Sequence, residues 1–122
     1  SVLHSASGGA GFDAVVTASS GAAGTQYLFP RLARSPAGAL EIVYYEGTSG
    51  NPATLMRATS PSGAAWTASK LADAGTFTLD RSLASWLGDY LGVAATEKGL
   101  FSSYTENTQG KAHIGFAHVA AP

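Results

Sequence analysis

The chain has 122 residues, the length of one domain, and seven basic against eight acidic side chains leave it a net charge of −1, so neither phosphate-driven nucleic-acid binding nor a basic membrane patch is indicated. Only 12% of its residues are charged, about half the ~25% of an average globular chain, and Ser, Thr, Gly and Ala fill the gap, as in extracellular β-rich proteins. Cysteine is absent, which excludes a disulfide framework and a thiolate metal site, and no run approaches the ~18 apolar residues of a membrane-spanning helix.

Short β-branched or aromatic runs recur between Gly, Pro, Ser and Asn clusters every 8 to 12 residues or so, the spacing of a multi-stranded antiparallel protein with little helix. The first predicted strands cover 2–6 and 12–17. A third covers 31–35 and turns through Ser35-Pro36-Ala37-Gly38 into the clearest strand, 39–45, which is apolar on both faces except at Glu41. Such a strand is expected in a sheet covered from both sides. A polar turn over 46–52 leads to a strand at 54–58, and the segment 59–66 leads to another that ends at Leu71.

The connection 72–90 is too long for a hairpin, and loops of that length are usually functional or cross between units. Beyond it the pattern returns: a strand at 91–96, the turn Thr96-Glu97-Lys98-Gly99, a strand at 100–104, a polar turn at 106–111 and a strand at 112–119. Gly38 and Gly99 supply the positive φ that a hairpin turn needs.

The return is a repeat. Leu40, Tyr44, Glu46, Thr48 and Gly50 recur 60 residues later as Leu100, Tyr104, Glu106, Thr108 and Gly110, and at an offset of 61 Leu32 and Ala33 face Val93 and Ala94. A period of this kind marks units that bury their faces against neighbours, and fewer than about three such units are rarely stable alone.

Thr59, Gly63 and Trp66 stand at the spacing of the Asp-box of bacterial neuraminidase repeats, with Pro61 in place of the aspartate. The segment from Trp86 to Ala94, which contains Leu87-Gly88-Asp89-Tyr90, is similar to the lead into an inner strand in secreted BNR/Asp-box proteins. The chain thus resembles the sialidase-like β-propeller superfamily. The resemblance implies an all-β fold of four-stranded antiparallel blades, about two per chain, completed by other chains or by a missing segment. Residues 1–24 would be the outer strands of a preceding blade, 25–72 a complete blade and 86–122 a three-stranded final blade. The expected partners are blades from identical chains or from another segment of a longer precursor. The opening Ser1 is expected of an N-terminus produced by signal removal, maturation cleavage or choice of the expressed segment. Secretion or display at a bacterial cell surface is the expected localisation.

In such a propeller the residues before the inner strands rim the channel mouth. Arg31, Trp86, Asp89 and Tyr90 would there present a guanidinium, a carboxylate and two aromatic faces to a glycan or protein ligand. Trp86 and Tyr90 packed between blades, with Asp89 capping a turn, is the alternative role. No motif identifies a nucleophile or proton donor, and the pairs Tyr44/Glu46 and Tyr104/Glu106, being repeated, suit packing better than a unique active site. The function expected is therefore a non-catalytic binding and assembly module; the alternative is the C-terminal piece of a processed glycosidase whose catalytic residues lie elsewhere. No cofactor is expected beyond a calcium ion that Asp89 could share with backbone carbonyls. His113 and His118, five apart in one strand, should point to opposite faces and cannot chelate jointly.

Overall fold

A computed structural model describes residues 1–3, 5, 8–11, 14–19, 21–48, 52–76 and 90–121. They form seven strands: β1 Gln26–Arg34, β2 Leu40–Gly47, β3 Pro52–Ser60, β4 Thr67–Thr76, β5 Leu91–Thr96, β6 Gly99–Glu106 and β7 His113–Ala120. The first four make one antiparallel sheet in the order β1-β2-β3-β4 and the last three a second in the order β5-β6-β7. The described residues contain no helix, and neither sheet closes on itself. The chain is all-β.

Local chemistry accounts for the hairpins. Gly38 takes φ +93° and donates its amide to the Ser35 carbonyl at 2.8 Å. The Ser35 hydroxyl accepts from the Ala39 amide at 3.0 Å. In the equivalent turn Gly99 takes φ +126° and the Thr96 hydroxyl accepts from the Lys98 amide at 3.1 Å. The hairpin that carries the Asp-box spacing joins β3 to β4 and keeps a side-chain-braced turn by another route. The Ser60 hydroxyl accepts from the Gly63 amide at 2.8 Å, and the Trp66 indole donates to the Gly63 carbonyl at 3.0 Å. Thr59 is turned away from it and donates to Glu41 at 3.2 Å.

The two sheets pack face to face, with β1 against β5 and β4 against β6 and β7. Val43, Tyr45, Ala53, Leu55 and Ala74 of the first sheet meet Leu91, Leu100 and Tyr104 of the second in a single buried cluster. Register explains the membership: Tyr45 pairs with Leu55 in the first sheet, and Leu91 with Tyr104 in the second, so each pair projects from one face toward the other sheet. Burying a side chain such as fully enclosed Val43 or Leu55 stabilises the fold by about 1.5–3 kcal/mol. Tyr104 fits because Gly115 lies opposite it; a Cβ there would stand 2.6 Å from the phenol ring.

At one end the sheets are clamped. The Asn107 amide donates to the Ala74 carbonyl at 2.9 Å, and Gly75, at φ +89°, allows the Asn107 side chain and backbone to approach where any Cβ would collide. At the other end, near the two tight hairpins, they part. Among the described residues of the N-terminal segment Val2 forms an antiparallel bridge with Val16; the strands expected at 2–6 and 12–17 lie in part outside the described residues. Strand β4 extends to Thr76, five residues beyond the expected end at Leu71, which shortens the long connection; the remainder of that connection lies outside the described residues.

Candidate functional site

Arg31 reaches the proposed mouth because of a backbone irregularity. Between Leu28 and Arg31 strand β1 carries a bulge, so that Leu28 pairs with Tyr45 and Arg31 with Val43. Side chains alternate along a strand, and one extra residue reverses the alternation. Leu28 and Arg31 therefore both face the second sheet. The bulge contains Phe29 at φ +52°, a left-handed conformation that costs a non-glycine residue about 1 kcal/mol or more. Its ring meets that of Tyr45 edge-on, with centroids 6.4 Å apart.

So directed, the Arg31 Nε donates to the Leu91 carbonyl at 3.1 Å, and its Nη1 lies 3.5 Å from the Pro30 carbonyl. Leu91 opens β5 and directly follows Tyr90, whose side chain is 83% exposed. Two of the four residues expected at the mouth, Arg31 and Tyr90, are thus brought together where β1, just past its bulge, passes the start of β5, although 59 positions separate them in the sequence. Tyr90 does not pack between the two sheets of this chain. Trp86 and Asp89, and with them the calcium expectation, lie outside the described residues.

A second constellation lies where the sheets part. Ser35, Ala39, Glu41, Arg57 and Thr59 of the first sheet face Ala95, Leu100 and Val119 of the second across a cleft of about 530 Å³. Arg57 binds the Glu41 carboxylate with both prongs, Nε to Oε2 at 2.8 Å and Nη2 to Oε1 at 2.7 Å. Thr59 adds a hydroxyl bond to Oε1. Their side chains are 23% and 7% exposed for Arg57 and Glu41 respectively. Hydrogen bonding to the carboxylate holds the guanidinium pKa above its ordinary value against the opposing effect of burial. Taking such a pair out of water is costly, and it survives only when every polar site is met. The sequence signal was Glu41, the lone charge in the apolar run 39–45; its partner became visible only with the register that sets Glu41 beside Thr59 and Val43 beside Arg57.

On the far face of the first sheet Tyr44 and Glu46 lie side by side, as residues two apart in a strand should. Residues 17–19 run beside Glu46, Met56, Trp66 and Ala68, and the Ser19 hydroxyl donates to Glu46 Oε2 at 3.4 Å. The Tyr44 hydroxyl is buried without a partner of hydrogen-bonding geometry among the described residues; burial raises its pKa, and the Ser19 hydroxyl opposes the rise without meeting that geometry. The repeated pair Tyr104/Glu106 divides its roles, with Tyr104 in the core and Glu106 half-buried at the strand end, its carboxyl lowered in pKa by the Thr108 hydroxyl and amide.

His113 pairs with Glu106 and His118 with Phe101, on opposite faces of β7. Among the described residues no cluster of three metal-ligating side chains occurs and there is no helix long and apolar enough to cross a membrane. Comparison with protein-family models, with curated proteins and with solved structures finds no match for this chain.

Proposed function

We propose that the chain is a non-catalytic module of the sialidase-like propeller kind, which binds carbohydrate or protein at the mouth lined by Arg31 and Tyr90 and assembles with further sheets into a larger ring. One observation carries this reading: Arg31 Nε donates to the carbonyl of Leu91, the neighbour of Gly92, which is Arg31's own counterpart at the offset of 61, so the equivalent strands β1 and β5 of the two copies lie side by side. Rotationally related units that meet at their first strands are what a ring of sheets requires, and the gap between such strands is where ligands gather. Arg31 brings a guanidinium for carboxylate or hydroxyl oxygens, and exposed Tyr90 an aromatic face for a sugar ring. Trp86 and Asp89 are the further contacts proposed for the same ligand. A secreted or cell-surface setting accords with the low charge.

The buried charges support a module without catalysis. Glu41 and Arg57 satisfy one another and Thr59, an arrangement suited to structure rather than to proton delivery.

Two measurements test the reading. The mass in solution should be that of a multimer, or of a firm complex with another segment of a longer precursor; a stable folded monomer would sink the assembly half. On a glycan array, Arg31→Ala, Trp86→Ala, Asp89→Ala and Tyr90→Ala should each lose most of the wild-type signal. Equal binding by all five proteins would remove the site, and hydrolysis of a fluorogenic sialoside would replace the module by the enzyme piece.

A further inference from the structure

The two sheets do not meet through matching faces. In β6 the side chains of Leu100 and Tyr104 point into the buried cluster. Their counterparts one repeat earlier, Leu40 and Tyr44, lie on the opposite side of β2 from Val43 and Tyr45, which are the ones that touch the second sheet. One face of the first unit therefore rests on the other kind of face of the second. A contact between unlike faces of like units is heterologous, and it leaves one face of each kind open at the two ends of the stack.

Both open faces are apolar. On the second sheet the counterparts of Leu55, Arg57 and Thr59 are Ile114, Phe116 and His118, since Thr105 pairs with Ile114, Ser103 with Phe116 and Phe101 with His118. Phe116 is 81% and Ile114 63% exposed, with Phe101 beside them also exposed. The Phe101 ring lies flat on the His118 imidazole, with centroids 4.4 Å apart and planes 12° from parallel. Where the first sheet carries the Glu41–Arg57 pair, the second thus carries a flat aromatic surface in water. On the first sheet the corresponding face is buried along β2 and β3 at Tyr44, Ala58 and Ser60, with residues 17–19 beside Met56, Trp66 and Ala68, and is open along β1, where Leu32 is 64% exposed and Tyr27 is exposed as well. The exposed apolar surface of Phe101, Ile114 and Phe116 on the second sheet is of the kind that marks an interaction site.

We propose that the aromatic face of the second sheet docks onto a second copy of this chain, seated on the Leu32 side of that copy's first sheet. Copies then join head to tail in the same sense as the two sheets within one chain. The internal contact is the template: the face now bearing Phe101, Ile114 and Phe116 is, position for position, the face that the first sheet already lays on its neighbour. This inference rests on the assembly reading above and assigns its surfaces.

Sedimentation velocity on complementary variants tests it. Wild type should sediment as a multimer. Phe116→Lys and Leu32→Lys should each sediment as folded monomers with unchanged far-UV circular dichroism, because both side chains are exposed. An equimolar mixture of the two should recover a dimer, since each variant keeps the face that the other lacks. A multimer that withstands both substitutions would overturn the surface assignment and leave assembly itself standing; dissociation by Phe116→Lys alone would replace the head-to-tail contact by a symmetric one and overturn it equally. A monomeric wild type would sink both the inference and the assembly reading.

Discussion

The hydroxyl of Tyr45 donates a hydrogen bond to the Thr105 carbonyl at 3.2 Å and accepts one from the Thr105 amide at 2.8 Å. Strand β5 ends its pairing with β6 at Tyr104, and at the next residue a side chain from the other sheet takes both backbone groups. The two residues occupy equivalent positions of the repeat, so the copies are joined at corresponding places. A buried amide and carbonyl without partners would each carry a desolvation cost of about 1–3 kcal/mol. Tyr45→Phe is therefore expected to lower stability by about 2–4 kcal/mol, read as a reduced urea midpoint with an unchanged slope. A loss below about 0.5 kcal/mol would mean that water replaces the hydroxyl.

The same enclosure makes the chain sensitive to alkali. Burial pushes the Tyr45 phenol from 10.0 up to about 12, against the lowering effect of its bonds to Thr105, and Tyr44 and Tyr104 are raised as well, chiefly by burial. A raised folded-state pKa means that the unfolded chain loses its proton first. The stabilisation is thus complete below pH 10 and is lost as pH climbs toward 12, on the order of 2 kcal/mol for Tyr45. Chemical denaturation at stepped pH, with phenolate absorbance followed in parallel, should show stability falling across that window in wild type and falling less in Tyr45→Phe.

Glu41 and Arg57 should fail asymmetrically. Removing one partner of a buried pair strands the other charge at a cost of about 3–5 kcal/mol. Arg57 is the more exposed of the two, so it is partly rehydrated when left alone. Glu41→Ala is accordingly expected to cost nearer 3 kcal/mol, whereas Arg57→Ala, which leaves the deeper carboxylate, should cost more. The double variant Glu41→Leu/Arg57→Met should recover most of the loss; a double-mutant cycle of denaturation midpoints reads all three, and strictly additive losses would contradict a coupled pair.

Gly75 permits the clamp between β4 and the turn after β6. At φ +89° and in contact with Asn107 and Thr108, any side chain meets both backbone strain and overlap. Gly75→Ala is expected to cost about 2 kcal/mol or more and to speed amide exchange at Asn107, whose N–H is held by the Ala74 carbonyl. Normal exchange there would show that the clamp tolerates a Cβ.

Much of the strand pattern was legible in advance. The strand expected at 91–96 is β5, the hairpins at Gly38 and Gly99 form as their residues predict, and the apolar run around 39–45 is an interior strand between β1 and β3. The 60-residue repeat appears as two sheets with the same order of their first three strands. The sequence singled out Arg31 and Tyr90, yet it held no sign of the bulge at Phe29 that turns Arg31 toward Leu91.

By itself, the sequence determined that this chain is all-β, where its turns fall and that it repeats, because those properties depend on composition, alternation and residues capable of positive φ. Only the tertiary structure decided which face of each sheet is covered. Strand β2 is apolar on both sides, so alternation could not choose between Val43 with Tyr45 and Ile42 with Tyr44. The choice came from register, from one extra residue in β1 and from the fit of Tyr45 onto Thr105. Those same contacts set the sense in which the two sheets stack and leave the aromatic face of Phe101, Ile114 and Phe116 open.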